Sequence, residues 1–239
     1  MEQKARIRRP RLVETKSLPN PTEYVLALTG EYRDWAYDEE RAPKNRGAWR
    51  KLFGEEANRP DDEKPMDLEI GTGNGYFFAN RASTCPDRLL VGMELKYKPL
   101  IQSIRRARRE KCTNARIARY DANCLEDLFA EGELNHVFIH HPDPWPRQRD
   151  WKHRLIQDEF LELLWPLMRP GSFVNFKTDS ADYFDWALPI FEKSKFKKLR
   201  ATRDLHRSEW ASENFVTHFE SLFLQKGQPI FYCRFEKPL

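Results

Sequence analysis

The 239-residue chain has no run of the ~18 apolar residues needed to cross a bilayer, so a transmembrane helix is not expected. Its basic N-terminus is not followed by an apolar stretch, which argues against a secretory signal and makes the cytoplasm the expected location. Cysteine is scarce: Cys85, Cys112, Cys124 and Cys233 form no CxxC pair, and no His/Cys cluster has zinc-like spacing. Neither a structural metal nor a disulfide framework is expected, and the four thiols read as reduced packing residues. The adjacent pair His140 and His141 would point to opposite faces of a strand, which suits a two-ligand site poorly. Internal repeats and low-complexity tracts are also missing.

Hydrophobic residues make up 40% of the chain, enough for a real core, and the length suits one large domain or one domain with appendages. The net charge of +4 is modest, but its distribution is uneven. Lys4, Arg6, Arg8, Arg9, Arg11 and Lys16 crowd the first residues. Lys96, Lys98, Arg105, Arg106, Arg108, Arg109 and Lys111 form a second block, and Arg147, Arg149, Lys152 and Arg154 a third. Any one block is explained as a solvated face. Three together, one beside a candidate site, favour a footprint for nucleic acid.

Residues 1–64 read as a flexible basic arm with short helices, ending in the polar linker Asn58–Pro65, which runs into the domain 65–239. From Met66 onward strands and helices alternate, the signature of a parallel sheet covered on both faces. Strands are expected at Met66–Ile70, Leu89–Glu94, Ala115–Tyr120, His136–His140, Ser172–Lys177, Lys195–Arg200 and Pro229–Phe235. The intervening helices are expected at Tyr76–Ala82, Leu100–Glu110, Gln157–Met168 and Tyr183–Phe191, with a helical turn at Leu125–Phe129.

The first of these strands ends in Glu69-Ile70-Gly71-Thr72-Gly73-Asn74-Gly75. Glycines at a strand end let the backbone turn tightly and approach a ligand. Glu94 closes the second strand 23 residues after Gly71, where a carboxylate can accept hydrogen bonds from both ribose hydroxyls. This much fits a nicotinamide or flavin enzyme equally well. Glu69 favours S-adenosylmethionine, because a carboxylate there pairs with a cationic amino group and repels a pyrophosphate. Asp121, at the end of the third strand, is placed to meet an adenine amino group. The fourth strand runs into Pro142-Asp143-Pro144-Trp145-Pro146, which puts Asp143 at the carboxyl end of the sheet, where ligands bind in open α/β folds. Asp143 also reads as an Asx-turn residue, and Trp145 as either a loop-packing anchor or a base-stacking platform.

The segment from Asp143 to Arg154 resembles the DPWPK…RHxKRR stretch of the tRNA (guanine-N7-)-methyltransferases. Phe176-Lys177-Thr178-Asp179 is similar to that family's FKTD segment, and Thr217-His218-Phe219-Glu220 to its TxxE tetrapeptide. The three motifs are collinear. The resemblance implies a Rossmann-like class I methyltransferase fold: a mostly parallel seven-stranded sheet, an antiparallel C-terminal strand and helices on both faces. It implies methyl transfer from S-adenosylmethionine to N7 of a variable-loop guanosine, position 46 in tRNA numbering, by a monomer or homodimer. Glu69, Glu94 and Asp121, with Gly71, Gly73 and Gly75, would bind the donor. Asp143 would be the active-site acid, and Arg147, Asp179, Thr217 and Glu220 would hold the substrate. Arg147, Arg149, Lys152 and Arg154 would reach phosphates.

The chain departs from the family pattern where Arg147 stands for the usual lysine, Asp150 for histidine and His153 for arginine. The first keeps the charge and changes its geometry, and the other two lower the positive charge beside the RNA side. They keep two alternatives in view: a methyltransferase for another RNA, a protein or a small molecule, and a catalytically idle RNA-binding homologue. Thr217 and Glu220 also read as helix-capping residues.

Overall fold

The computed structural model describes residues 12–54 and 64–239. The arm cations Lys4, Arg6, Arg8, Arg9 and Arg11, and linker residues 58–63, lie outside the described residues. Among the described residues eight strands form one sheet: β1 Ala36–Tyr37, β2 Met66–Ile70, β3 Leu89–Met93, β4 Ala115–Ala118, β5 Val137–His140, β6 Phe173–Thr178, β7 Lys197–Thr202 and β8 Phe231–Glu236. Their order is β1-β4-β3-β2-β5-β6-β8-β7. Pairing is parallel except where β8 runs antiparallel to β6 and β7. The seven expected strands are all present, within a few residues of their expected ends. The eighth, β1, pairs with β4 from within the segment read as an arm with short helices.

From β2 the chain winds outward through β3 and β4, then returns to place β5 on the other side of β2. The order therefore reverses between β2 and β5, and a crevice opens at the carboxyl ends of those strands. β2 and β3 are buried along their whole length, as a sheet covered on both faces requires.

Among the described residues six α-helices cover the sheet: α1 Glu23–Thr29, α2 Tyr76–Thr84, α3 Tyr97–Arg109, α4 Asp158–Leu167, α5 Ala181–Lys193 and α6 His218–Gln225. In α3, Leu100, Ile101, Ile104 and Ala107 recur at helical spacing and are fully buried, while Arg105, Arg108 and Arg109 stay exposed. With Leu28 and Phe78 they make the core on one face. The larger core, on the other face, gathers Leu68, Val91, Ile139 and Phe176 with Phe160 and Phe184 of α4 and α5. Trp49 is buried in this core, its Nε1–H donating to the Leu128 carbonyl at 2.8 Å. Among the described residues no helix is long and apolar enough to cross a membrane.

β2 also carries charge into the interior. Asp67 is 1% exposed and accepts hydrogen bonds from Arg81, Arg88 and the His136 N–H. Burial pushes its carboxyl pKa up, but the two guanidinium groups outweigh burial and hold it below the usual range.

Candidate active site

A cleft of about 740 Å³ lies at the carboxyl ends of β2 to β5. Glu69, Gly71, Gly73, Glu94, Asp121, Asp143 and Thr217 all line it, so the structure brings together residues that the sequence spreads over five separate stretches.

Gly71 and Gly73 adopt φ of 78° and 53°, the left-handed region that side chains disfavour. A Cβ built on either meets nothing within 4 Å, so the loop presents bare backbone to open space. Gly75 has a different reason for being glycine. A Cβ there would lie 2.3 Å from the Ser103 Cα, so this glycine lets the start of α2 cross α3. It does not line the cleft, although the motif reads it with the donor-contacting glycines. Gly92 in β3 is a packing glycine that sequence reasoning passed over. Its Cβ would lie 2.7 Å from both Phe78 and Thr72, and its place in mid-strand was the available signal.

Glu69 is 2% exposed, and among the described residues its Oε2 has no hydrogen-bond partner. Burial pushes its pKa well above the ordinary carboxylate range, nearby Glu94 raises it further, and Lys177 offsets part of the rise. An unpaired buried carboxylate at the cleft wall is a site for a cation. Glu94 is engaged differently: it accepts from the Gly73 N–H at 2.9 Å and the Lys96 N–H at 3.0 Å, bracing the glycine loop. Asp121 accepts from the Asn123 backbone and side-chain amides, both at 2.9 Å, and caps the 3-10 turn Ala122–Asp127.

These groups suit S-adenosylmethionine. Glu69 matches a cationic amino group, the bare glycine backbone allows close approach, and Glu94 and Asp121 stand at the two strand ends beyond.

On the other side of the cleft, Asp143 is exposed. Among the described residues nothing hydrogen-bonds to its carboxylate, so the Asx turn does not form. Asp179 does not line the cleft. Its Oδ1 lies 3.0 Å from Nδ1 of His141, which does line it and sits at φ 51°.

Thr217 caps α6, its Oγ1 accepting from the Glu220 N–H at 3.1 Å. Glu220 is fully buried and outside the cleft lining. Lys177 Nζ (2.9 Å) donates to Glu220 Oε2, Asn214 Nδ2 (2.8 Å) donates to Oε1, and His206 Nε2 lies 2.8 Å from Oε1. Burial raises the Glu220 pKa, but Lys177 and Asn214 outweigh it and hold it low. Through these bonds Glu220 ties α6 to β6, and the residues at the start of that helix, Thr217, His218 and Phe219, form cleft wall.

Of the third basic block, Arg147, Arg149 and Lys152 are exposed, and Arg147 and Arg149 flank Asp150 at 3.5 and 4.0 Å. Arg154 is a correction: at 2% exposure it cannot reach a phosphate. Its Nε–H donates to the Pro144 carbonyl at 2.8 Å, and its guanidinium lies among the rings of Trp151, Tyr183 and Trp186. No local signal distinguished it from its exposed neighbours, because two of the three rings, Tyr183 and Trp186, come from α5.

A family model described as "Putative methyltransferase" matches residues 63–233. A tRNA (guanine-N(7)-)-methyltransferase of Bdellovibrio bacteriovorus is 50% identical over 89% of this chain and 100% of its own. The Bacillus subtilis protein of the same name is 30% identical over 80% and 86%. Among solved structures, the 16S rRNA methyltransferase KamB aligns over 74% of this chain and 90% of its own, with a TM-score of 0.55 at 14% identity, a likeness of fold. The chain belongs to the tRNA (guanine-N(7)-)-methyltransferase family.

Proposed function

We propose that this chain methylates N7 of the guanosine at position 46 in the tRNA variable loop, in the cytoplasm, with S-adenosylmethionine as donor. The observation that carries the donor assignment is the unpaired, buried Glu69 carboxylate in a glycine-walled cleft. The acceptor assignment rests on the relatives, which match this chain over most of its length.

Guanine N7 bears a lone pair and no hydrogen, so no base has to remove a proton from the attacking atom. The bound donor supplies an electrophilic methyl group on a sulfonium. What the protein contributes is alignment and electrostatics. Glu69 takes the amino group, Glu94 offers its remaining lone pairs to the ribose hydroxyls, and Asp121 meets the adenine edge. Asp143, whose carboxylate takes no hydrogen bond from the described residues, accepts from the guanine N1–H and 2-amino group and stabilises the positive charge that grows on the purine. Asp179 acts through His141, and Thr217 through the start of α6. Arg147, Arg149 and Lys152 hold phosphates, which gives affinity and orientation more than base selection.

Labelled donor and tRNA from cells lacking the modification test this reading. Digested product should contain labelled 7-methylguanosine. Its absence, from folded protein that binds donor, would overturn the proposal.

A further inference from the structure

Trp145 sits at φ 45°, a conformation rarely adopted by a bulky side chain and one that persists only where the surroundings impose it. Pro144 and Pro146 fix the loop on either side, and the Pro144 carbonyl is tied down by buried Arg154. Packing does not explain the arrangement. The indole is 38% exposed and belongs to none of the hydrophobic clusters. The ring contact it makes is with exposed His153, centroids 5.1 Å apart at 49°. What the loop achieves is to hold an aromatic face open in the cleft that Asp143 also lines.

We propose that Trp145 stacks on the target purine and draws it more strongly as the reaction proceeds, which makes it a catalytic residue of the methyl transfer. This rests on the reading of guanine N7 as acceptor. The N7 lone pair forms the new N–C bond while the C–S bond breaks, and its electron pair stays on sulfur as a neutral thioether. The positive charge passes from sulfonium to purine, and no proton moves. A neutral guanine meets the indole by stacking alone. The cationic 7-methylguanine adds attraction between its charge and the negative face of the ring. An interaction that strengthens toward the transition state lowers the chemical barrier and leaves substrate affinity nearly unchanged. The same interaction holds the methylated product more tightly than the substrate.

Two measurements test this. First, single-turnover rates and tRNA affinity are compared for wild type, Trp145→Phe and Trp145→Leu, with donor affinity as the check on the fold. Trp145→Leu should slow methyl transfer about tenfold, with tRNA affinity changed much less, and Trp145→Phe should recover part of the rate. An unchanged rate in Trp145→Leu, or an equal loss in both variants, overturns the proposal. Second, wild-type protein with S-adenosylhomocysteine is titrated with the same tRNA bearing guanosine or 7-methylguanosine at the target. It should prefer the methylated form several-fold, and equal affinities overturn the proposal whatever the variants do. If wild type forms no 7-methylguanosine at all, the acceptor reading fails instead.

Discussion

At the scale of single residues, the most informative group is one that nothing satisfies. Because burial sets Glu69's folded pKa above its unfolded value, the folded state holds the proton longer. Stability is therefore fully present below the ordinary carboxylate range and is lost as pH rises through the raised pKa. Glu69→Gln removes the buried charge. It should raise Tm at neutral pH by about 2–4 °C, the shift worth ~1 kcal/mol in a chain of this size, and abolish donor binding. Scanning calorimetry and isothermal titration check both halves, and a variant that loses stability would contradict the unpaired state of the carboxylate. Donor binding to wild type should also release protons below the raised pKa, because the incoming amino group favours ionised Glu69. Affinity then climbs with pH until the free carboxyl is ionised. Heats measured in buffers of different ionisation enthalpy report the proton count.

At the scale of elements, the question is what holds α6 against the cleft. The buried pair Lys177–Glu220 joins β6 to α6, with His206 and Asn214 completing the shell. Removing one partner leaves the other charge buried and unpaired, so Glu220→Ala should cost about 3–5 kcal/mol. The double variant Lys177→Met, Glu220→Leu should recover much of that stability. A direct substrate contact would behave differently: Glu220→Ala would weaken tRNA binding with Tm unchanged. Gly75→Ala should destabilise most, by forcing α2 from α3 as well as straining a positive φ, whereas Gly71→Ala, with open space around its Cβ, should cost only the backbone strain of its φ of 78° and weaken donor binding besides. Such roles were only partly legible in the sequence. The TxxE spacing showed that Thr217 and Glu220 belong together, but a partner 43 residues away in Lys177 leaves no local trace. β1, two residues long, is too short for any periodic signal, whereas β2 to β6, four to six residues each, stood out as apolar runs.

At the scale of the whole molecule, the sheet order gathers Glu69, Glu94, Asp121 and Asp143 around one crevice, and the exposed Arg147, Arg149 and Lys152 follow Asp143 in the chain. If Arg147, Arg149 and Lys152 each neutralise a phosphate, replacing any one with alanine should lower the salt dependence of tRNA binding by about one unit of slope. Arg154→Ala should leave that slope unchanged, because its guanidinium never reaches solvent, and should disturb the Asp143 loop instead. Filter binding across a salt series separates the two outcomes. The N-terminal segment is fastened to the donor side: Arg119 donates to the Val13 and Leu95 carbonyls and to Glu39, and Thr15 Oγ1 lies 2.9 Å from the Tyr97 hydroxyl. Charge patterning singled out the second and third basic blocks, of which Lys96, Lys98, Arg105, Arg108, Arg109, Arg147, Arg149 and Lys152 are exposed. It failed at Arg154, because composition carries no information about which arginine the fold encloses in aromatic rings.

The central claim is that the cleft delivers a methyl group to N7 of one variable-loop guanosine, and one pair of transcripts tests it directly. A tRNA with guanosine at position 46 and the same tRNA with 7-deazaguanosine there are incubated with wild-type protein and labelled S-adenosylmethionine. The account predicts one methyl group on the first, mapped to that nucleotide, and none on the second, which lacks the accepting nitrogen. Label on the 7-deaza transcript, or on the first transcript at another nucleotide, would contradict it.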